Sequence, residues 1–144
     1  MRGQAVNTII VAGMIAGDPY QGGATWAVLQ YLLGLRQAGH DVYFIEPVTA
    51  AKLQPGGASL PESRNAAYFR AVAQQFDHEA RAALLVAGTT QTVGLPYDRL
   101  RAVAATSDCL INISGMLTDP ALTESIPDAV YLDLVPGFNH IWSA

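Results

Sequence analysis

From Asn7 to Gly13 the chain reads NTIIVAG, a β-branched run without the polar alternation of a half-exposed strand. A parallel strand covered on both faces has no solvent side and needs no such alternation, so the run predicts a buried first strand. Beyond the loop Met14 to Gly22 the pattern changes. Between Gly23 and Ala38, residues Val28, Leu29, Leu32 and Leu35 recur at helical spacing, and Gly39 stands where a left-handed cap is wanted. This predicts a helix of about four turns. Asp41 to Ile45 (DVYFI) is a second apolar strand, expected to stop at Glu46-Pro47 because proline cannot donate to a ladder and biases its predecessor away from helix.

The alternation then repeats. Val48 to Pro61, with Gly56-Gly57 and two prolines, reads as a long surface loop. Ser63 to Phe76 has helical spacing through Ala67, Phe69, Val72, Ala73 and Phe76, and Ala82 to Ala87 (AALLVA) reads as a third buried strand. A short helix over Tyr97 to Ala105, a strand over Cys109 to Ile113, a short helix over Asp119 to Ser125 and a strand over Ala129 to Leu134 complete the series. Strands alternating with helices predict an α/β fold: a Rossmann-like, doubly wound parallel sheet of about five strands, with helices on both faces in three layers. In such sheets ligands collect beyond the carboxyl ends of the strands. The loops to interrogate are therefore Met14 to Gly23, Glu46 to Pro61, Gly88 to Pro96, Ser114 to Asp119 and Asp133 to His140.

Length adds that the 144 residues amount to one domain. The chain is 51% apolar and only 14% charged, against roughly 25% charged in an average domain. Part of the surface is thus expected to be covered, by another domain or by self-association through exposed apolar surface. The net charge of -4 and the scattered Lys and Arg exclude the basic stripe that a nucleic acid requires. The single Cys109 cannot form an internal disulfide and reads as a small buried residue in a reducing, cytoplasmic setting. The apolar segments Thr8 to Ala16 and Trp26 to Leu35 fall short of the ~20 residues of a membrane span. Peripheral membrane association is left open by the pattern. Metal-ligand spacing is absent, and no G-x-S-x-G elbow marks a nucleophile.

The best candidate site is the first loop, Gly13 to Gly23, which joins a strand to a helix whose unpaired N–H groups and dipole favour an anionic or polar ligand. Within it, Gly17, Gly22, Gly23 and Ala24 are the expected phosphate or substrate loop. The loop lacks G-x-G-x-x-G, and Gly23-Ala24 stands where a Walker A loop has Lys-Ser/Thr. Glu46 ends the second strand, the position from which a dinucleotide-binding domain holds ribose hydroxyls, although a solvated acid at a strand end is the commoner explanation. Ser114-Gly115 and Asp133, followed by Pro136-Gly137, fall on the same carboxyl edge, and His140 and Trp142 could meet a sugar. His78 reads as a solvated helix end. His40 lies at the opposite end of the strands and is assigned a structural role.

Gly22-Gly23, then Leu29, Leu32 and Leu33, then Gly39-His40-Asp41-Val42 resembles the GG…L…GH-x-V run that opens the N-terminal domain of GT-B glycosyltransferases. The likeness covers roughly residues 7 to 47. It implies a di-glycine loop beside the acceptor and the donor phosphates, and it makes Asp18 the candidate general base for an acceptor hydroxyl. It further implies a small-molecule acceptor and a nucleotide-sugar as co-substrate, with no tightly bound cofactor. The donor would be held mainly by a C-terminal domain in cis. Two other readings stand beside it: a free-standing nucleotide- or dinucleotide-binding module with Glu46 on the ribose, and a structural or oligomer-forming domain.

Overall fold

The computed structural model describes residues 7–15, 22–113 and 117–132. Its strands are β1 (Thr8–Ala12), β2 (Asp41–Val48), β3 (Ala82–Val86), β4 (Thr92–Gly94), β5 (Cys109–Ile113) and β6 (Asp128–Leu132). They form one sheet in the order β4-β3-β2-β1-β5-β6, parallel throughout except where β4 runs against β3. The helices are α1 (Gly22–Gln37), α2 (Arg64–Gln75), α3 (Tyr97–Thr106) and the single turn α4 (Pro120–Thr123).

The unbroken apolar character of β1 follows from its position. Ile9 and Val11 project to one face and pack with Val28, Leu29 and Leu32 of α1 and with Phe69 and Val72 of α2. Ile10 and Ala12 project to the other, among Leu100 and Val103 of α3 and Leu122 of α4. Neither face meets water, so every side chain of the strand core contributes, at about 1.5–3 kcal/mol for each large one buried. The result is the expected Rossmann-like, three-layer α/β sandwich.

Helix boundaries follow local chemistry. Gly39 adopts φ +95°, the left-handed conformation that glycine enters most easily. Its N–H bonds the Arg36 carbonyl at 3.0 Å and the His40 N–H bonds that of Leu35 at 3.2 Å, a Schellman cap that turns the chain into β2. At the start of α2, the Ser63 hydroxyl accepts from the Ala66 N–H at 3.0 Å and satisfies a donor the helix cannot.

Four expectations are corrected. There are six strands rather than about five: β4 is a three-residue segment within the expected Gly88 to Pro96 loop, too short to carry a periodic signal. β2 does not stop at Glu46-Pro47 but runs through Val48. In a parallel ladder the N–H and C=O of one residue face the same neighbour, and the Val48 carbonyl accepts from Ala87 of the β3 side. The nitrogen of Pro47 therefore faces the β1 side, where pairing has ended at Ala12–Ile45, and no ladder bond is lost. The Val48 to Pro61 segment is not wholly at the surface, since it contains two short 3-10 turns and buries Leu53 and Leu60. Finally, His78 is buried at 5% exposure rather than solvated.

Candidate functional site

The chain leaves β1 toward β2 and β3 and then returns to lay β5 on the other side of β1. The carboxyl ends of β1 and β5 therefore frame the topological switch point, where open α/β sheets hold their ligands. Gly13, just past β1, is buried in the floor of this crevice. A Cβ there would lie 3.2 Å from Val28 Cγ2 and 3.3 Å from Ile113 Cδ1, so the absence of a side chain lets α1 sit close to the sheet.

Two buried polar side chains hold the loops on either side. Glu46, with no solvent exposure, accepts the Ile15 N–H on Oε1 at 2.9 Å and fixes the start of the first loop. Its position one residue beyond the last β1–β2 pair lets the side chain reach past the end of β1. Glu46 is thus not a solvated acid. On β5, Asn112 is 1% exposed, and its Nδ2 donates to the Leu117 carbonyl at 2.9 Å while its Oδ1 accepts the Leu117 N–H at 3.1 Å. The carboxamide acts as a short piece of strand and ties the backbone of Leu117 to the end of β5.

Replacing Glu46 by leucine is expected to leave the buried Ile15 N–H without that acceptor, at a cost of about 2 kcal/mol. Glu46→Gln keeps an acceptor of the same shape and should lose less than half as much. Urea unfolding of the two variants checks this; equal losses would show that the hydrogen bond is not the relevant interaction.

Of the residues singled out from sequence, Gly22, Gly23 and Ala24 form the first turn of α1. Gly17, Asp18, Ser114, Gly115, Asp133 and His140 lie outside the described residues, as do Pro136, Gly137 and Trp142. His40 is at the amino edge, where Nδ1 accepts the Asn7 N–H at 3.3 Å, matching its structural assignment. Cys109 is half-buried, and burial, then Asp128 and Asp108, raise its thiol pKa and keep it protonated. Among the described residues no helix is long and apolar enough to cross a membrane.

The structure adds a second feature that the sequence reading missed. Between the carboxyl ends of β2 and β3 and the starts of α3 and α4 lies a cleft of about 380 Å³. Tyr97 and Asp119 meet in its wall, the tyrosine hydroxyl donating to Asp119 Oδ2 at 2.7 Å. The hydrogen bond to Asp119 raises the Tyr97 pKa, with burial and the carboxylate's charge adding to it. The other carboxylate oxygen, Oδ1, accepts the Ala121 N–H at 3.0 Å and caps α4. The only clue in the sequence is that Pro96-Tyr97 and Asp119-Pro120 both open helices that the topology brings to one sheet edge. Comparison of the chain with protein-family models, curated proteins and solved structures finds no match.

Proposed function

We infer that this domain is the acceptor-side half of a sugar-transferring enzyme, which moves a sugar from a nucleotide-sugar to an acceptor hydroxyl. The observation that supports this reading is how the Gly22 to Val42 run is used. The di-glycine opens α1 beside the switch point, Leu29 and Leu32 are buried against the sheet, and Gly39-His40 forms the cap leading into β2. The proposal assigns Asp18 as the base that accepts the proton of the acceptor hydroxyl while that oxygen attacks the anomeric carbon and the nucleotide leaves with its phosphate oxygen. A second domain in cis holds the nucleotide, and the complete enzyme works in a reducing, cytoplasmic setting. The dinucleotide-module alternative is less well supported, because the carboxylate it relies on, Glu46, gives Oε1 to the protein's own backbone.

Calorimetry and a turnover assay on the 144-residue chain test the proposal. The chain alone is expected to show negligible transfer from any nucleotide-sugar and no tight binding of NAD or free nucleotide. Sustained turnover by the chain alone would refute the half-enzyme reading, and tight NAD binding would move the assignment to the dinucleotide module.

A further inference from the structure

The cleft beside the Tyr97–Asp119 pair has a lining that selects a chemical class of ligand. At about 380 Å³ it is large enough for a monosaccharide. Pro47 and Ala87 supply apolar surface at the ends of β2 and β3 and Pro120 at the start of α4, while Leu85 and Leu117 are almost wholly buried. Thr89, Thr90 and Thr118 place hydroxyls around the rim. Thr89 is already engaged, donating to the Val86 carbonyl and accepting from the Gln91 N–H. Thr90 and Thr118 are exposed and can donate to or accept from a ligand.

Charge decides between ligand classes. Asp119 carries the one formal charge among the described lining residues, and no Lys, Arg or His stands among them. Each carboxylate oxygen already accepts one hydrogen bond, from Tyr97 or from Ala121, and retains a lone pair that can accept another from a ligand hydroxyl. The Tyr97 oxygen, its proton turned toward Asp119, presents its own lone pairs as acceptors. A phosphate or carboxylate placed here would meet the like charge of Asp119 with no cation in the described lining, the Arg101 charge acting on Tyr97 from outside that lining.

We propose that this cleft is a binding site for an uncharged, polyhydroxylated ligand of monosaccharide size, with Asp119 and Tyr97 accepting from its hydroxyls and the apolar walls covering its C–H face. The assignment stands on the lining alone and holds whether or not the domain takes part in sugar transfer.

Titration of the isotopically labelled chain with glucose and, separately, glucose 6-phosphate, followed through backbone amide NMR signals, tests the site. Glucose is expected to shift the Thr89, Thr90 and Thr118 amides with millimolar affinity, and glucose 6-phosphate to bind at least about tenfold more weakly. Asp119→Asn, which retains an N-cap side chain, should narrow that gap to within about threefold. Thr118→Val, at an exposed position, should weaken glucose binding severalfold in a fully folded protein. Glucose 6-phosphate binding as tightly as glucose would overturn the proposal. So would the absence of shifts at these threonines with glucose up to about 50 mM.

Discussion

Gly94→Ala is expected to lower the unfolding free energy by about 4 kcal/mol, whereas Gly88→Ala, in the same hairpin, should cost only about 1 kcal/mol. Both glycines have positive φ, +95° and +81°, so both substitutions incur the left-handed penalty. Only Gly94 has a neighbour in the way. A Cβ there would sit inside contact distance of the Ala82 carbonyl oxygen, 3.2 Å from the Ala82 carbonyl carbon and 3.3 Å from Ala83 Cα, all of them backbone atoms that cannot rotate aside. At Gly88 nothing lies within 4 Å. Relief of the clash requires β4 to lift from β3, which gives up the pairs Ala83–Gly94, Leu84–Val93 and Leu85–Thr92 and uncovers Val93, now 6% exposed. The β3–β4 turn also forms one side of the Tyr97–Asp119 cleft, so Gly94→Ala should abolish glucose binding while Gly88→Ala weakens it modestly. Chemical denaturation of the two variants side by side isolates the clash from the backbone penalty. Equal losses would mean that β4 pairing contributes little.

What the sequence revealed and what it concealed divide along the range of the interactions. β1 was legible because burial on both faces removes every polar position from four consecutive residues, Ile9 to Ala12. The end of α1 was legible because its cap is made within the segment Leu35 to His40. β4 was not, being three residues long and held by its antiparallel partner rather than by any pattern of its own. Pro47 misled because a proline in a strand costs a bond only when its nitrogen faces a neighbour, and that depends on where β1 stops. Glu46 was recognised as a strand-end acid on the carboxyl edge, but the backbone N–H that it accepts belongs to Ile15, 31 residues earlier. Asn112 lies inside the apolar run of β5 with no local pattern to mark it, and its buried clasp on Leu117 was not foreseen. Tyr97 and Asp119 meet across 22 residues. Contacts made within one turn or one strand leave a local pattern; those made across the carboxyl edge, where the candidate site lies, exist only once the topology has assembled it.

Acidification from neutral to about pH 5 is expected to destabilise the fold by about 2 kcal/mol through His78 alone. Its pKa is lowered from 6.5 to about 4, first by burial and then by the Arg36 guanidinium on α1, with the neighbouring Asp77 carboxylate opposing them. The arrangement has little room for a proton: Nε2 meets no hydrogen-bond partner among the described residues, and the ring borders a small apolar cavity with Leu32, Phe44 and Phe69. Arg36 cannot readily retreat, since its Nη1 donates to the Phe76 carbonyl at 2.7 Å. The sign follows from the two states. Below pH 6.5 the unfolded chain takes up a proton on this imidazole, while the folded chain takes it up only near pH 4, so stability is complete above 6.5 and falls as pH drops through that window. The loss levels off at about 3 kcal/mol once both states are protonated. His78→Leu removes the titrating group and the unpaired nitrogen together, and should flatten the stability profile between pH 6.5 and about 5, above the range where ordinary carboxylates titrate. Denaturant midpoints measured at half-unit pH intervals for both proteins provide the comparison. An unchanged slope in the leucine variant would remove His78 as the source of acid sensitivity and would mean that the joint between α1 and the end of α2 admits a charged imidazole.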